Sequence, residues 1–132
     1  MAGFSDYLEL ELLDHVFGGS DYARPATLYV ALFTAAPSDS GGGTEVSGNN
    51  YSRASVTNNS TNFPAASAGS KSNGTAITFA TPSGSWGTVT HAAIFDASTS
   101  GNQLGWCSIT SQSISSGNTV SIAIGALTIT LD

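Results

Sequence analysis

The chain has 132 residues, of which 9% are charged, with three Lys and Arg against nine Asp and Glu and a net charge of −6. That length specifies one domain with room for a core of its own. Three cations cannot neutralise a run of phosphates and give anionic membranes little to attract, so neither nucleic acid nor a membrane is an expected partner.

The surface must instead be built from Ser, Thr, Asn and Gly. No apolar run approaches the ~20 residues of a membrane helix. The opening Met1-Ala2-Gly3-Phe4-Ser5-Asp6 lacks the basic and apolar regions of a signal peptide, so synthesis without export is expected. Cys107 is the only cysteine. It lies in an apolar stretch and reads as a small buried hydrophobe.

The first element is a helix over about 5–17. Ser5 is the N-cap, and Asp6, Glu9 and Glu11 suit the positive end of its dipole. Leu8, Leu12 and Val16 recur every four residues, with Leu13 and Phe17 widening the stripe. Gly18-Gly19 stops it. So short a helix must dock its apolar face, either on its own sheet or on a neighbouring subunit.

After Pro25 the period changes to that of a strand. In residues 27–34 Leu28, Val30 and Leu32 point one way, while Tyr29, Ala31 and Phe33 point the other. Both faces are apolar, which marks a central strand. Two long polar loops are expected at 35–50 and 58–73. Further strands are expected at 51–57, 75–80, 87–96, 103–109, 119–124 and 127–131. On the strand at 87–96, Val89, His91, Ala93 and Phe95 should share a face. Gly125 suggests a bulge or bend. Short strands between turn signals, after one helix, predict a mainly β fold: an antiparallel β-sandwich or a jelly-roll-like barrel.

The chemistry-bearing residues form no catalytic pattern. His91, Asp96 and abundant serines permit a hydrolase set on paper, but no Gly-x-Ser-x-Gly elbow leads from a strand into a helix. His91 reads as a half-buried strand residue and Asp96 as a hairpin starter. Gly69-Ser70-Lys71-Ser72 has the letters of a phosphate loop without its preceding glycines. No metal site or cofactor is expected. The strongest metal candidate is only Asp39 and Glu45 flanking Gly41-Gly42-Gly43. Trp86 and Trp106 could form a sugar platform, but large aromatics beside turns more often close the ends of a core. The Asn-x-Ser/Thr triplets at Asn50, Asn58, Asn59 and Asn73 are expected by chance in such a composition. The clearest functional signal is surplus apolar surface. Leu8, Leu12, Val16 and Phe17 on the helix, with Tyr29 and Phe33 on the second strand face, are candidate interface residues.

Three stretches carry a resemblance: residues 25–34 followed by Pro37, Thr44-Glu45-Val46 and Tyr51-Ser52-Arg53; residues 86–97; and residues 125–132. With the Leu12-Leu13-Asp14-His15 helix, the chain resembles a group of small tailed-bacteriophage virion proteins, over nearly its whole length. The resemblance implies a structural virion component. Arg53 becomes a buried or interface partner, Trp86 an end plug and Gly87 a turn. The expected function is a capsid decoration, or cement, protein. It would sit outside the shell as a homotrimer and bridge major capsid subunits. The alternative is a tail-fibre or tail-tip component contacting host glycans. A hydrolase is the third and weakest reading.

Overall fold

The alternation of residues 27–35 decides the architecture, because a strand apolar on both faces must be covered on both. In a computed structural model that describes residues 3–131, this strand lies inside the largest sheet. The elements are β1 (Gly3–Phe4), α1 (Asp6–Val16), β2 (Thr27–Ala35), β3 (Thr44–Glu45), β4 (Ala54–Thr57), β5 (Ser70–Ser72), β6 (Ile77–Thr78), β7 (Gly87–Phe95), β8 (Gln103–Ile114), β9 (Ser121–Ile122) and β10 (Thr128–Thr130). The main sheet runs β1-β8-β7-β2-β3, with β4 also on β2. Two small sheets, β10-β5 and β6-β9, stand apart from it. Every pairing is antiparallel.

Leu28, Val30 and Leu32 on β2 enter one large core. They meet Ala92 and Ile94 on β7, Cys107 on β8, and Ala54 and Val56 on β4. The opposite side of this core comes from Phe63, Ile77, Phe79, Trp86 and Leu127, which lie outside the main sheet. The fold is therefore mainly β and sandwich-like, a long sheet faced by short two-stranded pieces. Ala31, Phe33 and Ala93 form a smaller cluster on the other face, with Phe95 and Trp106 packed against it.

The helix matches its expected ends. Ser5 Oγ accepts the Leu8 N–H at 3.2 Å, and Gly18 takes φ +83°. The Gly19 N–H returns to the Asp14 carbonyl at 2.8 Å, the longer bond of a Schellman ending. Its apolar stripe divides, however. Leu8 packs on the core, whereas Leu13, Val16 and Phe17 are exposed.

Four other expectations need correction. β3 lies within the expected loop 35–50, and β5 within the expected loop 58–73. Each is too short to leave a period in the sequence. β8 continues to Ile114, beyond the expected end at 109. Val89 does not share a face with Ala93 and Phe95. It joins Ala92 and Ile94 in the large core, because the β7–β8 register shifts between Val89 and His91 and the alternation changes phase there. β1 had no signal at all. Its Gly3 carbonyl approaches so closely that a Cβ on Gly105 would lie 2.6 Å away.

Candidate functional site

An apolar cavity of about 350 Å³ opens between the main sheet and β10-β5. Its walls include Leu8, Leu28, Ile94, Leu104, Cys107 and Leu127. Arg24 and Lys71 also line it. Its size falls within the ~300–1,000 Å³ of small-ligand sites. Cys107 is a free, buried thiol, and burial pushes its pKa up. It therefore stays a protonated hydrophobe rather than a nucleophile.

On the opposite face, Arg53 organises a polar cluster. Its Nη2 donates to Glu45 Oε1 at 2.8 Å and its Nε to Oε2 at 2.9 Å, a forked pair. Its Nη1 donates to the carbonyls of Ala97 and Ser100. The guanidinium carbon lies 3.7 Å from the centre of the Phe95 ring. The Arg53 side chain is only 8% exposed. Tyr51 donates to Glu45 Oε2 at 3.1 Å and accepts the Leu32 N–H at 3.0 Å. Burial, with the Glu45 charge as a lesser cause, pushes the Tyr51 phenol well above its ordinary value. Arg53 thus ties β4, β3 and the β7–β8 turn together. Both Arg53 and Phe33, which is 3% exposed, are used inside the subunit and offer little to a partner. Tyr29 is half-buried between Ser55 and Phe95 on neighbouring strands.

A groove of about 580 Å³, of mixed polar and apolar lining, runs beside this cluster. Asp6, Tyr7, Asp39, Ser40, Asn102 and Gln103 line it. Asp39 Oδ1, on the groove wall, accepts the indole N–H of Trp106 at 2.8 Å, and Trp106 itself lines the apolar cavity. Trp106 is half-buried and stays available at one edge. Trp86 is not available as a sugar platform. It is 4% exposed, donates to the Asn49 carbonyl at 2.9 Å and meets Tyr51 edge-on at 5.3 Å. It closes the end of the core.

The hydrolase set is not assembled. Asp96 accepts the backbone N–H of Asn102 at 2.7 Å and its Nδ2 at 2.9 Å, which fixes the β7–β8 turn. His91 bonds Thr90 Oγ1 at 2.7 Å. His15 Nδ1 accepts the Tyr22 N–H at 3.1 Å. The same nitrogen lies 3.7 Å from Asp21 Oδ1 at the exposed surface. Among the described residues no three His, Cys, Asp or Glu side chains are placed to hold a metal. Asp39 and Glu45, the strongest candidates by sequence, are committed to Trp106 and Arg53.

Asn73 is the structural residue that sequence reasoning passed over. It is 2% exposed. Its Oδ1 accepts the Leu127 N–H at 2.9 Å, and its Nδ2 donates to the carbonyls of Thr75 and Ala123. It pins the C-terminal segment to β5. The sequence showed it only as one of the Asn-x-Ser/Thr triplets, because two of its three partners, Ala123 and Leu127, lie 50 and 54 residues away.

A family model described as "Podophage GP4 fiber I protein gp80" matches residues 3–130. No curated protein matches the chain. The matched span includes the main sheet, the helix, the groove, the Arg53 cluster and all of the apolar cavity's lining but Leu131.

Proposed function

Because this chain belongs to the podophage GP4 fiber I protein gp80 family, and is thereby a structural protein of a tailed-phage virion, we propose that it is a component of the tail fibre. The observation that carries this is the family match across residues 3–130. It favours the tail over the capsid-decoration reading, since the family is described as a fibre protein. The chain would act as a homotrimer without catalytic activity. Its partners would be other fibre chains and, at the distal end, host-surface glycans. Two features support the glycan contact. The groove beside Asp39 and Asn102 presents carboxylate, amide and hydroxyl groups, and Trp106, bonded to Asp39, brings an amphipathic aromatic side chain next to them.

Antibody labelling and gel densitometry of purified virions test the placement. Gold at the tail and a copy number far below that of the major capsid protein are expected. Label over the head, at a copy number approaching that of the capsid protein, returns the decoration reading. Glycan binding is tested with host-surface polysaccharide. Asp39→Ala with Trp106→Ala is expected to remove binding without changing the oligomer.

A further inference from the structure

Among the described residues two apolar surfaces are left uncovered by the subunit itself, and they complement each other. The first is the outer face of α1. Leu10, Leu13 and Phe17 are 64%, 55% and 77% exposed. They stand at i, i+3 and i+7, the spacing with which a helix inserts into a groove. Exposed Glu9 and Asp14 flank them. The second surface is the apolar cavity. Two of the three cations in the chain, Arg24 and Lys71, line it. The third, Arg53, is held by Glu45. Neither Arg24 nor Lys71 has a carboxylate partner among the described residues.

The helix cannot fill its own cavity with this face. Leu8 already lines that cavity. At 3.6 residues per turn, Leu10, Leu13 and Phe17 lie on roughly the opposite side of the helix from Leu8. A second copy can fill it. The match is apolar against apolar, with acids beside bases, in a chain otherwise short of both charges.

We propose that the outer face of α1 docks into the apolar cavity of a second copy of this chain, Leu13 and Phe17 entering it while Glu9 and Asp14 approach Arg24 and Lys71. The contact is head-to-tail, since helix meets cavity rather than helix meeting helix. Such a contact closes into a ring or propagates as a filament. A ring of three is the arrangement that the homotrimer proposed above would use, and this inference rests on that reading of self-assembly.

Sedimentation of the full chain tests it, with far-UV circular dichroism as the control for folding. The wild type is expected to sediment above the monomer mass. Leu13→Asp with Phe17→Asp is expected to weaken association about a hundredfold while keeping the wild-type spectrum. Arg24→Glu is expected to weaken it about tenfold, and Asp14→Lys in the same chain to restore part of the loss. A second measurement, with Cys107→Ala in both chains because Cys107 is a free thiol lining the same cavity, mixes a tagged Phe17→Cys chain with an untagged Leu131→Cys chain under mild oxidation. Leu131 also lines the cavity and is 54% exposed, so a disulfide between the two variants must join different copies. That heterodimer should exceed either homodimer. A wild type that is monomeric at every concentration overturns the contact. So does an oligomer unchanged by the helix substitutions, or a mixture without heterodimer. In the last two outcomes the fibre assignment stands or falls separately, on the virion labelling.

Discussion

The central strands and the N-terminal helix are both rich in aliphatic residues, yet they use them in opposite ways. On β2, Val30, Ala31 and Leu32 are 0% exposed. On α1 no residue is buried. The difference follows from the number of covered sides. A central strand is bonded at both edges and packed on both faces. The helix touches the domain along one narrow line, at Tyr7 and Leu8. Folding free energy is therefore concentrated in the sheet, and the helix leaves most of its apolar surface exposed on the subunit.

The largest effect that would sharpen this contrast is a cavity in the centre of the sheet. Leu32→Ala removes a side chain packed by β4, β7 and the facing layer, and should cost about 2–5 kcal/mol in urea unfolding. A loss below 1 kcal/mol, well under that range, would show that the centre of the sheet is not the stabilising region. Next comes the polar face. Arg53→Met should cost about 2–3 kcal/mol, since it leaves Glu45 and the carbonyls of Ala97 and Ser100 without their donor. The partial exposure of Glu45, 25% at its side chain, places the figure below that of a fully buried pair.

A smaller, pH-dependent effect should arise from the same face. Tyr51 has a raised phenol pKa in the folded state, so the unfolded chain loses that proton first as pH rises. The contribution is fully present below the ordinary phenol value of about 10 and declines above it. Cys107, also raised by burial, adds a decline beginning near its ordinary value of about 8.5. Urea midpoints should therefore fall between about pH 9 and 11, and Tyr51→Phe should flatten the upper part of that fall. A midpoint that is constant across the window would contradict the buried environment of both groups. The smallest effect belongs to the helix. Phe17→Ser should change monomer stability by no more than about 0.5 kcal/mol. A loss of 2 kcal/mol would break the comparison, by placing Phe17 inside the fold.

Much of the fold was legible because it is local. The cap at Ser5, the stop at Gly18, the two-faced strand at β2 and the Asp96 turn each depend on residues a few positions apart. The elements that escaped notice depend on distant partners. β1 exists because Gly105 admits a backbone that a Cβ would exclude. Asn73 matters because its amide reaches Ala123 and Leu127. Val89 changes faces because β8 carries extra residues opposite Thr90. Periodicity also treated the helix stripe as one surface, although Leu8 turns inward and Leu13 and Phe17 turn outward.

By itself, the sequence determined a mainly β fold with one capped helix. Its charge is sparse, with only three cations, and its apolar residues are more than one small core uses. Those properties are additive over residues or local along the chain. Only the tertiary structure decided where the excess lies. It assigned Phe33, Trp86 and Arg53 to the interior, left Leu10, Leu13 and Phe17 outside, and placed Arg24 and Lys71 along an open apolar cavity. Such assignments depend on which strands pair and which side of a helix meets the sheet. Contacts between residues far apart in the chain set both, and no short-range pattern encodes them.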